Sequence, residues 1–171
     1  MRPLTQRSKQ KVKIQSVMSV ETDFSADLKF GDVQVDLETR VAQAWSALAA
    51  VLDDERLHYD TCVRICAADE IAGLNETYRD KPTPTNVLSF PADLPVPEIQ
   101  VLGDIVICWP VIQTEAGAQG KSDLDHFSHM VIHGLLHLLG YDHELSEADA
   151  QRMEALECVV LAKLGIANPY R

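Results

Sequence analysis

The sequence predicts an α+β fold, a small mixed sheet with four or five helices. Three observations lead there. Short apolar runs bounded by proline or glycine read as three to five strands. Longer segments whose apolar residues recur every three or four positions read as helices. At 171 residues the chain is long enough for one domain with a substantial core.

Taken in order, "KVKIQSV" (11–17) alternates as a strand does, and "DVQVDL" (32–37) reads as its partner. Asp36 is placed to cap a helix to about Asp53, with Leu37, Val41, Trp45, Leu48 and Leu52 as its apolar stripe. "TCVRICA" (61–67) is a half-buried strand with Cys62 and Cys66 on one face. Asp69 then caps a short helix with Ile71, Leu74 and Tyr78 inward. "RDKPTPT" (79–85), with Pro82 and Pro84, is a loop, as is "ADLPVPEIQ" (92–100). Between them "NVLSFP" (86–91) is a short strand, and "GDIVICW" (103–109) is the clearest strand of the chain. Pro110 suits the first turn of a helix, where its missing N–H costs little. Ser122 with Asp125 resembles a capping box with a shorter acid and opens a helix to about Leu139. Ser146 with Asp149 repeats the pattern. The last helix carries Met153, Leu156, Val160 and Leu164, and Gly165 ends it.

Composition, 46% hydrophobic and 24% charged, is that of an ordinary globular protein. No apolar run has the length of a membrane span, and the first residues lack the apolar stretch of a secretory signal. The four cysteines are scattered and read as reduced thiols, so a cytoplasmic location is expected. Net charge is −11, although residues 1–13 hold Arg2, Arg7, Lys9, Lys11 and Lys13 and no acid. Residues 1–13 are therefore read as a basic, solvated arm and 14–171 as a single domain. The acidic balance argues against nonspecific binding to a polyanion and leaves room for a local basic site.

The segment "HGLLHLLGYDH" (133–143) carries the chemistry. In a helix, residues four apart share a face, so His133 and His137 present two imidazoles to one point. Gly140 is placed to end that helix in the left-handed conformation, letting the chain turn back through Tyr141 and Asp142 and bring in His143. Three neutral imidazoles suit Zn²⁺, one ion per chain. A set of three leaves a fourth position open, as catalytic zinc sites do. The spacing is metzincin-like, H-E-x-x-H-x-x-G-x-x-H, except that Gly134 stands where those peptidases carry their glutamate base. The site reads as hydrolytic without the equipment of a known peptidase.

This motif resembles the signature of the YbeY family of zinc-dependent endoribonucleases and rRNA maturation factors. "LNETYRDKPTPTNVLSFP" (74–91) is similar to that family's second block, "LGDIVIC" (102–108) to its third, and "RMEALE" (152–157) to its closing helix. Two departures stand out, Asn86 where the family more often has aspartate and Cys108 where it more often has serine. The resemblance implies a single-strand-specific, zinc-dependent endoribonuclease. Its expected work is rRNA maturation, notably at the 3′ end of 16S-type rRNA, and ribosome quality control. The expected partners are single-stranded RNA and a ribosome or ribosome-associated protein, with no membrane and no DNA.

By the same resemblance Arg79 is the catalytic arginine of the cleft and a substrate-binding group, although position alone favours a cation at a helix C-terminus. Lys81 is a candidate to draw RNA in. His129, one turn before His133, and Asp142, beside His143, are candidates to support the metal ligands from behind. Two rivals are distinguishable. A zinc hydrolase of peptides or small molecules needs a carboxylate base near the metal from elsewhere in the chain. A non-catalytic, zinc-stabilised ribosome assembly factor needs a fourth protein ligand, from His129 or Asp142.

Overall fold

The structure, a computed structural model, describes residues 20–93 and 98–171. Four strands form one mixed sheet: β1 (Val20–Phe24), β2 (Asp60–Cys66), β3 (Val87–Pro91) and β4 (Val101–Cys108), in the order β1-β2-β4-β3. β1, β2 and β4 run parallel, and β3 pairs antiparallel with β4. Five helices complete the α+β fold: α1 (Val33–Val51), α2 (Ala68–Arg79), α3 (Trp109–Gln119), α4 (Asp123–Leu138) and α5 (Glu147–Lys163).

Alternation along the strands sorts the core into two layers. Val63, Ile65, Ile105 and Ile107 face the main core, where they meet Leu37, Val41, Trp45 and Leu48 of α1 and Phe127, Val131, Ile132 and Leu135 of α4. Cys66, Val106 and Cys108 face the other side, where Ile71 and Leu74 of α2 cover them. The shared face expected for Cys62 and Cys66 holds, with Arg64 between them bridging Asp23 and Glu70; all four thiols are free.

The sequence reading departs from this fold in a few places. "DVQVDL" lies largely in helix: α1 begins at Val33, and Val35 is 65% exposed. Its alternating residues also satisfy the spacing 33, 37, 41, 45, and the longer stripe decides. Asp36 consequently sits in the first turn, where its charge favours the helix dipole, rather than at the cap. The strand that does pair here is Val20–Phe24, five residues with two acids that gave no strand signal. "KVKIQSV" and the basic arm lie outside the described residues. Asp69 is likewise a first-turn acid of α2, not its cap. Tyr78 is 65% exposed, its ring edge-on to Phe90 instead of inward. Ser122 and Ser146 cap as expected, each hydroxyl accepting from the backbone N–H three residues on.

Candidate metal centre and its cleft

α4 runs across the sheet as a nearly all-buried helix, and its last two turns carry the histidines. Its end is a Schellman turn: Gly140, at φ 92°, donates to the His137 carbonyl, and Tyr141 donates to Leu136. That turn returns His143 to the helix face holding His133 and His137. The three imidazoles each offer a ring nitrogen, all within 4.8 Å of one another. His133 and His137 approach to 3.1 Å between their Nε2 atoms. A tetrahedral ion at usual Zn–N distances separates its ligands by about 3.4 Å, so the donor set fits with small side-chain adjustments. Burial, then the neighbouring His133 and His137–His143 contacts, push the His137 pKa below its ordinary value and keep it a neutral donor.

The residue that orients this set comes from the far end of the chain. Glu157 of α5 is wholly buried, its Oε1 2.6 Å from His133 Nδ1 and its Oε2 3.2 Å from His129 Nε2. Tyr170, in the segment after α5, donates its hydroxyl to the same carboxylate. Burial works to raise the Glu157 pKa, but the hydrogen bonds from His129, His133 and Tyr170 outweigh it and bring the carboxyl down to about 2. With an ionised acceptor at Nδ1, His133 carries its proton there and leaves Nε2 for a ligand. The sequence reading passed over Glu157 and Tyr170. A signal for the first was present, an acid on the stripe formed by Met153, Leu156 and Val160.

The imidazoles open into a cleft of about 420 Å³ that is also lined by Arg79, Ser89, Asp142, Glu144 and Tyr170. Arg79 is the last residue of α2; Asp80 follows in the left-handed conformation, and buried Asn75 pins the loop by donating to the Thr83 carbonyl. No acid pairs with Arg79 among the described residues. Lys81 is exposed and does not line the cleft. His129 is buried and bonded to Glu157. Asp142 lines the cleft and accepts from the Glu144 N–H, stabilising its own turn.

A family profile described as "Endoribonuclease YbeY" matches residues 26–165. The chain belongs to the YbeY family. Among relatives named "Endoribonuclease YbeY", one from Halorhodospira halophila is 48% identical over 138 residues, covering 78% of this chain and 88% of the relative. Another, from Acinetobacter baumannii, is 44% identical over 161 residues, covering 90% and 97%. The solution structure of TM1509 from Thermotoga maritima has the same fold, with a TM-score of 0.52 and 24% identity over 88% of this chain and 96% of that one.

Two features set against the YbeY pattern now have local explanations. Asn86 turns its amide to Glu115, Nδ2 lying 3.1 Å and 3.3 Å from the two carboxylate oxygens, and Glu115 meets buried His126 at 2.7 Å. An aspartate there would face another carboxylate. Cys108 is buried on the α2 side of the sheet, where a thiol packs as a small apolar group. Gly134 has a steric reason of its own: a Cβ there would lie 2.9 Å from Ile105 Cγ2 and 3.2 Å from Ser89 Oγ, so α4 can seat on β3 and β4 only without a side chain.

Proposed function

We propose that His133, His137 and His143 hold one Zn²⁺ per chain and that the cleft cuts single-stranded RNA. The observation that carries this reading is the convergence of three imidazoles beside the unpaired Arg79 in a chain of the endoribonuclease family. When bound, the metal supplies Lewis acidity at neutral pH. The chain's own part is positioning. Glu157 fixes His133 as an Nε2 donor, and His137 is held neutral. The Arg79 guanidinium, projected from the end of α2, can grip a phosphate through two parallel hydrogen bonds and neutralise charge that grows on its oxygens.

We infer the biological task from the family: maturation of rRNA, notably the 3′ end of 16S-type rRNA, on a ribosome or ribosome-associated partner in the cytoplasm. No helix among the described residues is long and apolar enough to cross a membrane. We also propose that residues 1–13 serve as a basic arm ahead of one nuclease domain at 14–171. Lys81 is assigned to incoming RNA beyond the cleft itself.

The rivals fare less well. The peptidase reading lacks its motif base, Gly134 standing there wedged against Ile105, and although Asp142 and Glu144 line the cleft, the relatives that the chain matches are named endoribonucleases. The assembly-factor reading needs a fourth ligand, yet the metal-capable group among the described residues has three, with His129 committed to Glu157 and Asp142 to its turn.

The test is cleavage of a single-stranded RNA by zinc-loaded protein beside His137→Ala and Arg79→Ala. Loss in both folded variants is expected, with Arg79→Ala keeping its metal. A new 5′-phosphate would indicate attack by water, and a cyclic phosphate attack by the 2′-hydroxyl. Cleavage at the parent's rate by both variants would overturn the reading.

A further inference from the structure

Residues 166–171 lie beyond the residues matched by the family profile, yet Tyr170 among them lines the metal cleft. α5 ends at Lys163, and Gly165, at φ 70°, turns the chain back toward α4. The sequence "NPY" (168–170) then forms a small device. Asn168 Oδ1 accepts from the Tyr170 N–H at 2.8 Å, and Pro169 between them fixes its own φ. The turn directs the Tyr170 ring edge-on to His129, with centroids 5.8 Å apart and planes at 86°. Its hydroxyl lands on Glu157 Oε2, the carboxylate whose other oxygen holds His133.

We propose that Tyr170 is a positioning residue for the metal centre. Its O–H bonds the Glu157 carboxylate from behind, so that Oε1 stays aimed at His133 Nδ1 and His133 presents Nε2 to the metal. The inference rests on the three-histidine reading above and extends the site to the chain's last turn. A buried carboxylate has four acceptor positions to fill, and His129 and His133 supply one donor each. Without the phenol, Glu157 is free to rotate about its terminal torsion, a broad and weakly preferred rotation, and the Nδ1 bond loses its direction. Burial and the neighbouring Glu157 charge hold the Tyr170 pKa above its ordinary value, so the phenol remains a donor throughout the working pH range. The effect passes through two hydrogen bonds, Tyr170 to Glu157 and His133 to Glu157, and needs no contact with the metal.

The experiment is a Co²⁺ titration of the full chain with competition by a chelator, read from the visible d–d band, on the parent, Tyr170→Phe, Asn168→Ala, Glu157→Gln and His137→Ala. Phenylalanine keeps the ring on His129 and removes only the O–H. Loss of one such bond should weaken Co²⁺ binding about threefold to tenfold in Tyr170→Phe. Loss of the direct partner in Glu157→Gln should weaken it about tenfold to a hundredfold. Asn168→Ala, which loosens the turn and leaves every group of the site in place, should shift affinity in the same direction by less. The Tyr170→Phe band should also change shape, which a remote loss of stability would not produce. Parent-like affinity and spectrum in Tyr170→Phe, alongside a weakened Glu157→Gln, would overturn the proposal and leave the metal site standing. Absence of stoichiometric Co²⁺ on the parent, or equal binding by His137→Ala, would instead overturn the three-histidine reading and this inference with it.

Discussion

Gly134→Ala is a sharp test of how the motif helix is seated. In an exposed helix the change would stabilise by about 1 kcal/mol, because alanine loses less backbone entropy. Here the new methyl meets Ile105 Cγ2 at 2.9 Å, Ile105 Cδ1 at 3.1 Å and Ser89 Oγ at 3.2 Å. Ile105 is wholly buried on β4, and Cγ2 sits directly on a branched Cβ, so it cannot swing aside as a flexible tip would. Ser89 Oγ is tied to the Gly134 carbonyl itself at 3.2 Å. Overpacking of this kind costs about 1–3 kcal/mol, which outweighs the propensity gain and leaves a net loss of about 1 kcal/mol. In urea the midpoint should fall with m unchanged, and the thermal midpoint should drop by roughly 2–4 °C. Metal affinity should fall as well, since His133 and His137 ride on the displaced turns. Ile105→Ala alone opens a cavity at about 2–5 kcal/mol, but in the double variant the alanine at 134 has room, so the two costs should fall short of additivity by about 1 kcal/mol or more. A Gly134→Ala protein more stable than the parent, or an additive cycle, would refute the steric argument.

Removing the metal with a chelator should lower the thermal midpoint, because an ion that binds only the folded state at a hundred times its Kd contributes about 2.7 kcal/mol; calorimetry with and without Zn²⁺ measures this. Asn86→Asp should destabilise by about 1–3 kcal/mol at pH 7 by replacing a donor to Glu115 with a second carboxylate. Urea midpoints of the parent and the variant measure the loss. Burial pushes the Cys66 thiol up to about 12, so native Cys66 should resist alkylation at pH 8 until the chain unfolds, as should buried Cys108. Half-buried Cys62 and Cys158 should label slowly and faster as pH rises; mass spectrometry of the native protein reads all four sites.

The local parts of this fold were legible because their signals are local. A serine cap, the Gly140 turn and the four-residue spacing of His133 and His137 each act within one helical turn, and all took the expected geometry. β1 was not legible, since a strand with Glu21 and Asp23 facing out is defined by its pairing with β2, 41 positions along the chain in the case of Val20 and Thr61. Tyr78 followed the helical stripe of Ile71 and Leu74 but sits in the last turn of α2, where its ring meets Phe90 of the edge strand β3 and stays 65% exposed. At the site, the three histidines announced themselves, whereas Glu157 and Tyr170 did not. Glu157 and Tyr170 reach His133 only through the packing of α5 on α4, and no spacing within one segment encodes that contact.

The acidity of the chain looks ill suited to a polyanionic substrate until the charge of the cleft itself is considered. Arg79 is the one permanent cation among the described side chains that line it, and Asp142 and Glu144 are the acids. Glu157 is occupied by His129, His133 and Tyr170. With neutral imidazoles the empty cleft is net negative, Glu157 adding its ionised carboxylate behind His133, and a divalent ion offsets that charge. RNA binding should therefore depend on metal occupancy, while the net charge of −11 disfavours nonspecific binding of RNA elsewhere. A site that engages one or two phosphates gives a log–log salt dependence with a slope of about −1 for single strands. Fluorescence anisotropy of a labelled RNA, with and without Zn²⁺ and across salt, tests both parts. Metal-independent binding would refute the charge offset. A slope of about −3 or steeper would assign the affinity to the five cations of residues 1–13 and refute a cleft-centred footprint.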